Sequence, residues 1–207
     1  MKGCRPLTDN EDQALVCAYA SARDRCMHEL CSSTGLRIAE ACSIRVCDVV
    51  KNGEVVKNLY VRRRDTKGKA EGAYFELHPH VRKAIYEQVR WLWDNGYTWP
   101  DCYLLKSARG THRALTRCGA RYSLLAAAVR AGVPTIRLGT HSFRKTFARR
   151  VEALALEELR SGAALNPYDV LRIALRHRSY ESTISYIGGN SEYVLKVIRA
   201  LPGRAGI

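Results

Sequence analysis

The stretch 34–40, with the sequence TGLRIAE, places an arginine directly after a glycine turn and a glutamate three residues later. Residues at this spacing on a helix are neighbours, so Glu40 can hold the Arg37 guanidinium in position. A second pair lies farther along the chain, where His141 and Arg144 are three residues apart in HSFR. On one helix face these two side chains can bind the same anion. Each pair alone is weak evidence for a site, since many surface helices carry such pairs.

Around these two pairs, the hydrophobic and turn patterns predict a mainly helical chain. Helices are expected over residues 8–30, 36–43, 79–93, 116–130, 141–159, 168–175 and 191–201, the first of them opened by a capping box at Thr8 and Glu11. The β-forming residues of 54–63 and 73–77 flank a turn at 65–69, which predicts a β-hairpin. The fold class is therefore mainly α with a small antiparallel β-sheet (α+β), in a single domain over residues 1–207.

The chain of 207 residues is strongly basic, with 34 Lys and Arg against 20 Asp and Glu and a formal net charge of +14. Its hydrophobic fraction of 46% is enough for an ordinary globular core. No acidic residue lies between Asp101 and Glu152, a stretch that holds eleven lysines and arginines. Arg113, Arg117 and Arg121 recur every four residues, so on a helix they form one face that can follow a phosphate backbone. The charge therefore favours a nucleic-acid partner, the alternative being a merely solvated basic surface.

Several other classes of protein are disfavoured. The apolar runs are much shorter than the roughly 20 residues of a membrane span, and the N-terminal sequence turns acidic at once, unlike a signal peptide. The eight cysteines are expected to be reduced thiols, because the chain is long, lacks a signal peptide and is not dense in cysteine. A zinc site is disfavoured, because the two C-x4-C pairs are loosely spaced for zinc ligands. An RNA-binding domain lacks its aromatic platform, since only three phenylalanines are present. We therefore expect a cytoplasmic, nucleoid-associated protein, or one inside the host cell of a virus or mobile element, with no membrane, metal or other cofactor.

Taken in chain order, five motifs together resemble the tyrosine recombinase (phage integrase) family, in its short form that consists of the catalytic domain alone. The T-G-x-R box with its following acid and the H-x-x-R box are two of them. The family's hairpin lysine corresponds to Lys67, its L-G-H-like motif to His177, and its nucleophilic tyrosine, nine residues later, to Tyr186. The sequence departs from the family at Arg176, which stands where glycine is usual, and in a longer segment before His177. No separate N-terminal core-binding domain is expected within these residues, so the chain is either such a short member or a fragment of a longer protein.

The resemblance implies a role for each of these residues. The implied catalytic residues are Arg37, Lys67, His141, Arg144, His177 and Tyr186, with Glu40 in support. Lys69 is an alternative to Lys67 as general acid, and Tyr180 and Tyr193 flank the nucleophile at the wrong spacing. The residues expected to contact DNA are Arg62, Arg63, Arg64, Lys69, Arg113, Arg117, Arg121 and Lys145.

The function that the resemblance implies is that of a site-specific DNA recombinase or integrase. Such an enzyme cleaves and rejoins double-stranded DNA through a 3′-phosphotyrosine intermediate and uses neither metal nor ATP. It is expected to form a homo-tetramer on DNA. The same protein can be a monomer in solution. A C-terminal helix within residues 190–207 then docks on a neighbouring subunit or packs on its own core. Two alternatives stay open: a type IB topoisomerase or telomere resolvase with the same chemistry, and a non-catalytic DNA-binding regulator derived from an integrase.

Overall fold

The computed structural model describes residues 3–62, 72–110, 112–164 and 166–177. Within these ranges the chain forms eight helices, which are α1 (Asp9–Ala18), α2 (Ala22–Thr34), α3 (Ile38–Ser43), α4 (Val46–Val49), α5 (Pro79–Asp94), α6 (Arg117–Arg130), α7 (His141–Arg160) and α8 (Pro167–Leu175). It also forms four short strands, which are β1 (Val50–Lys51), β2 (Glu54–Val55), β3 (Asn58–Val61) and β4 (Ala73–Glu76). The expected fold class, mainly helical with small antiparallel sheets, is confirmed. The helix expected at 191–201 lies outside the described residues.

The first predicted helix is two helices in the structure. Its capping box is confirmed, because Thr8 Oγ1 accepts from the Glu11 N–H and Glu11 Oε2 accepts from the Thr8 N–H. However, α1 ends at Ala18, and Ser21 caps a new helix by accepting from the Asp24 N–H at 3.2 Å. The serine followed three residues later by an acid is the local signal for this second start.

The predicted β-hairpin is confirmed as β3 paired antiparallel with β4. The register sets Leu59 opposite Phe75 and Tyr60 opposite Tyr74. Leu59 and Phe75 are buried, whereas the two tyrosines are exposed with their ring centroids 4.8 Å apart. This alternation is the two-residue period of a strand with one face on the core. The expected turn at 65–69 lies outside the described residues.

A second, smaller hairpin is absent from the sequence predictions. β1 and β2 pair with Val50 opposite Val55, and Asn52 and Gly53 join them with φ angles of 51° and 82°. Asn-Gly in this left-handed conformation is the preferred two-residue hairpin turn. The strands themselves are too short to show an alternating pattern.

The longer helices follow their predictions closely. The ends of α5, α6, α7 and α8 lie within one residue of those expected. In the core, α2 packs against α1, α3, α5 and α6, and its Met27 and Leu30 are fully buried. Phe143, near the start of α7, belongs to the same core. The helix that carries the T-G-x-R turn at its end is therefore the central helix of this core.

The contacts divide the chain into two compact units, with the boundary inside α7 between Arg150 and Val151. The first unit contains α1 to α6, the four strands and the start of α7. The described part of the second contains the rest of α7 and α8, where Leu171 and Leu175 are buried. Among the described residues, no helix is long and apolar enough to cross a membrane.

A buried histidine joins three helices of the first unit. His28 of α2 is fully buried, with its Nε2 2.7 Å from Asp12 Oδ1 on α1 and its Nδ1 3.1 Å from the Tyr19 hydroxyl. Arg150 of α7 donates to Asp12 Oδ2 at 2.9 Å, and the Phe143 ring packs edge-on against His28. Burial opposes ionisation of the Asp12 carboxyl, but hydrogen bonds and charge from His28 and Arg150 outweigh burial and hold its pKa below the ordinary value. This network ties α7 to α1 and α2.

Replacing Asp12 by asparagine is expected to lower the free energy of unfolding at neutral pH by about 2 kcal/mol. The reason is that the hydrogen bonds to His28 and Arg150 lose the negative charge of their acceptor. A lowered carboxyl pKa stabilises the fold above the ordinary value of 3.8, and that contribution disappears as the pH falls through the folded-state pKa. The difference between wild type and Asp12→Asn in urea unfolding should therefore shrink as the pH falls below about 4. The exposed Asp94 is the control, and Asp94→Asn should change stability by less than about 0.5 kcal/mol. A difference independent of pH would contradict a role for the Asp12 charge.

Candidate active site

The turn after α2 presents Arg37. α2 continues past residue 30, where the sequence predicted its end, and is capped by Gly35. The φ of Gly35 is 66°, and its N–H donates to the Cys31 carbonyl at 3.1 Å. The Arg37 backbone N–H donates to Glu40 Oε2 at 2.9 Å, and its Nη1 donates to Glu40 Oε1 at 2.9 Å. The Glu40 side chain is 3% exposed and that of Arg37 29%. A buried carboxylate thus orients a guanidinium that still reaches the surface.

Arg144 lies against the same turn. It belongs to the first turn of α7, is buried, and donates from Nη1 to the Gly35 carbonyl. Phe147, one turn later on α7, packs so closely on Gly35 that a Cβ at that position would collide with its ring. Glycine is required here both by its left-handed φ and by this contact. Arg37 and Arg144, far apart in the sequence, are thereby brought to one turn.

His141 is the first residue of α7 and is exposed. Its spacing places it on the same helix face as Arg144, whereas Lys145, the next residue, is half-buried. The N-terminal segment anchors this part of α7, because Thr146 Oγ1 accepts from the Leu7 N–H at 2.9 Å. No sequence motif indicates this anchoring, since it joins residues at opposite ends of the first unit.

The described arginines expected to contact DNA lie in three places. Arg117 and Arg121 are exposed and four residues apart on α6, so they share one face. Arg113 is also exposed, but it lies in the loop before α6, so the expectation of three arginines along one helix is wrong for this residue. Arg62 follows β3, with its Nη2 3.5 Å from Asp48 Oδ2. Three of these arginines, Arg113, Arg117 and Arg121, are therefore exposed on the first turns of α6 and in the loop before it.

His177 lies in the second unit, directly after α8. Arg176, which departs from the expected glycine, has a φ of 53°, a left-handed conformation that glycine adopts with less strain. The helix end is closed by the Arg176 N–H on the Ile173 carbonyl and the His177 N–H on the Arg172 carbonyl. The remaining residues singled out by the sequence, Arg63, Arg64, Lys67, Lys69, Tyr180, Tyr186 and Tyr193, lie outside the described residues.

The cysteines differ in burial, and the buried ones are poor nucleophiles. All eight lie in the described ranges, where they are free thiols. Burial raises the pKa of the Cys42 thiol to about 12 and also raises the pKa of Cys26, so both are protonated at neutral pH. Within the same ranges, no three His, Cys, Asp or Glu side chains are grouped so as to hold a metal ion.

The T-G-x-R and H-x-x-R boxes thus lie together in the structure. The sequence matches the phage integrase family over residues 7–192, a range that contains both boxes. The chain belongs to the phage integrase family. This confirms the resemblance to tyrosine recombinases that the motifs indicate. A comparison with individual curated protein sequences gives no match.

Solved recombinase structures share the fold of this phage integrase family member. XerA recombinase superposes with a TM-score of 0.67 at 20% identity, over 98% of this chain and 67% of the other. XerH bound to its palindromic difH substrate, in a post-cleavage complex, gives 0.66 at 18% identity, over 96% and 54%. A lambda integrase dimer bound to a COC′ core site gives 0.60 at 16% identity, over 90% and 48%. The chain thus spans from about half to two thirds of these proteins, whose likeness establishes the tyrosine recombinase fold.

Replacing Gly35 by alanine is expected to lower the free energy of unfolding by about 3 kcal/mol, since left-handed strain adds to overpacking against Phe147. Gly53 is the matched control, because its φ is 82° but nothing lies within 4 Å of an added Cβ. Gly53→Ala should cost only the strain, about 1 kcal/mol. Urea unfolding of both variants measures the difference. Equal losses would mean that the contact between α7 and this turn is not tight.

Proposed function

We propose that this protein is a site-specific DNA recombinase that cleaves and rejoins double-stranded DNA through a 3′-phosphotyrosine intermediate, without metal or ATP. The observation that carries the proposal is the convergence of Arg37 and Arg144 on the Gly35 turn. Membership of the phage integrase family supports the same conclusion. The protein is proposed to act in the cytoplasm on nucleoid DNA, or inside the host cell of a virus or mobile element.

The two arginines supply the electrostatic part of the mechanism. The negative oxygens of a phosphodiester repel a nucleophile, and the pentavalent transition state gathers further charge on them. Guanidinium groups stabilise that charge through paired, charge-assisted hydrogen bonds. Glu40 uses only one side-chain N–H of Arg37, which leaves the others for a phosphate oxygen. Positive donors at this position can take the place of a metal ion.

Tyr186 is the proposed nucleophile. Its oxygen attacks phosphorus, the new bond forms between tyrosine and phosphate, and the bond from phosphorus to the 5′-oxygen breaks. His141 and His177 are proposed to accept the tyrosine proton or donate further hydrogen bonds. Lys67, or Lys69 in its place, is proposed to protonate the leaving 5′-oxygen. The phosphotyrosine retains the energy of the phosphodiester, so the reverse attack by a 5′-hydroxyl reseals the strand without ATP.

Double-stranded DNA is the proposed partner of the basic surface at Arg113, Arg117 and Arg121. XerH and lambda integrase, which share the fold, were solved bound to a difH substrate and to a core site. Arg62, Arg63, Arg64, Lys69 and Lys145 are proposed to add contacts to the phosphate backbone. A homo-tetramer on DNA, with residues 190–207 docked in trans, is the proposed working assembly.

The chemistry is tested by trapping the covalent intermediate. The protein is mixed, in parallel buffers with and without EDTA, with supercoiled plasmid and with nicked duplexes from its own genomic neighbourhood, and is then denatured in detergent. We expect DNA-linked protein for the wild type and none for Tyr186→Phe, because the phenol oxygen forms the bond. Tyr180→Phe and Tyr193→Phe are the matched controls and should retain the adduct.

Each of the other outcomes supports a different nucleophile, mechanism or function for this protein. An adduct that survives Tyr186→Phe moves the nucleophile to Tyr180 or Tyr193. Loss of the adduct in EDTA contradicts a mechanism without metal. DNA binding without any adduct favours the regulator derived from an integrase, whereas relaxation of plasmid without strand exchange favours the topoisomerase.

The basic surface is tested through salt dependence. Each phosphate contact contributes about 0.9 to the slope of log Kd against log salt concentration, because counterions are released. Arg121→Gln is therefore expected to reduce this slope by about 1. Lys83→Gln, which removes an exposed cation on α5, is the control and should leave the slope unchanged. An unchanged slope for Arg121→Gln would contradict a DNA contact by this face of α6.

A further inference from the structure

A cavity of about 350 Å³ lies between the start of α2, the end of α5 and the loop that follows Lys106. The residues of its lining that bear on a ligand are Ser21, Arg23, Trp91, Tyr97, Lys106 and Ser107. None of the described catalytic candidates lines it. Its volume falls within the range of about 300–1,000 Å³ that is typical of small-molecule sites.

We propose that this cavity binds a nucleotide, with the phosphate beside Lys106 and the planar base against Trp91 and Tyr97. The same chemistry can come from a free mononucleotide or from a nucleotide of a DNA strand. The site is separate from the strand-cleavage site proposed above and does not depend on its chemistry.

Lys106 is the first argument for an anion. The residue is only 7% exposed, yet its ammonium group has few partners. Its Nζ donates to the Ser107 carbonyl at 3.0 Å and lies 4.1 Å from the centroid of the Tyr97 ring. In the described part of the chain, no carboxylate forms an ion pair with it. A buried ammonium with three donors and no counter-charge is completed by an anion that enters the cavity.

The neighbouring charges leave this cation uncompensated. Arg23 is neutralised by Asp24, whose Oδ1 lies 2.8 Å from its Nη2. Arg23 also donates from Nη1 to the Lys106 carbonyl at 3.2 Å, which fixes the loop at the cavity wall. Arg109 follows the lining residue Ala108 in the chain and is exposed. The lining holds two cations and no acidic residue, which favours a phosphate.

Aromatic rings supply the second half of the site. Trp91 lines the cavity and is 47% exposed, so part of its side chain is accessible to a ligand. Tyr97 is held in place by Trp99, whose ring meets it edge-on at 5.6 Å. Every nucleobase has a flat π face, so stacking on Trp91, with the Tyr97 ring beside it, tolerates any base. Inorganic phosphate alone would use the cation but not the rings.

The experiment is isothermal titration of the full chain with three probes: deoxyadenosine 5′-monophosphate, deoxyadenosine and inorganic phosphate. We expect the monophosphate to bind about tenfold more tightly than either part alone, because only it engages both the cation and the rings. Lys106→Met, which removes the charge but keeps a long unbranched side chain, should weaken its binding about tenfold. Trp91→Ala should weaken it as well.

Three further variants separate a binding role from a folding role. Lys106→Arg keeps the charge and should retain binding, whereas Lys83→Met and Trp93→Ala alter exposed side chains of α5 outside the cavity lining and should change nothing. Thermal unfolding of each variant reports whether it is folded. The proposal is overturned if the monophosphate does not bind, if it binds equally well to folded Lys106→Met, or if phosphate alone binds as tightly.

Competition identifies the source of the nucleotide. If a short single-stranded oligonucleotide displaces the monophosphate and Lys106→Met weakens its binding, the site takes a nucleotide of a DNA strand. If the oligonucleotide does not compete, the site takes a free nucleotide; both results support the shared chemistry. Tyr186→Phe should bind the monophosphate normally, so failure of the strand-cleavage mechanism would leave this test intact.

Discussion

The hydrogen bond from Arg144 to the carbonyl of Gly35 joins the two halves of the candidate active site. It forms because α2 ends in a left-handed glycine whose missing side chain lets Phe147 approach. The same turn delivers Arg37, which the buried Glu40 orients through two hydrogen bonds. The position of both guanidinium groups thus depends on one residue without a Cβ.

The start of α7 is held in the first unit from more than one direction. On one side it meets the Gly35 turn, and on the other Arg150 reaches the Asp12 and His28 network. The N-terminal segment adds a hydrogen bond from Leu7. A helix constrained in this way keeps its first turn in place, which is what precise placement of phosphate-binding groups requires.

Positive charge is used differently in different parts of the molecule. Arg117 and Arg121 are exposed on α6, where they can contact an extended polyanion. Arg144 is buried and hydrogen-bonded to a backbone carbonyl, so its charge can act only on a group bound directly beside it. Lys106 is buried beside a cavity and a ring, and it forms no ion pair with a carboxylate of the described residues. The cations behind the net charge of +14 therefore lie in at least three different environments.

Local pattern in the sequence determined the ends of α5 to α8, the capping box at Thr8, the main hairpin and the two motif pairs, because caps, turns and periodicity act over a few residues. The same patterns missed the break before Ser21, although the serine cap is a local signal, and the four-residue spacing placed Arg113 on a helix that begins only at Arg117. Family membership likewise followed from motif order. Only the tertiary structure decided that Arg144 meets Gly35, that His28 is buried against Asp12, and that Lys106 lines a cavity. Each of these contacts joins segments distant in the chain, and their meeting depends on how the helices pack, which no local spacing encodes.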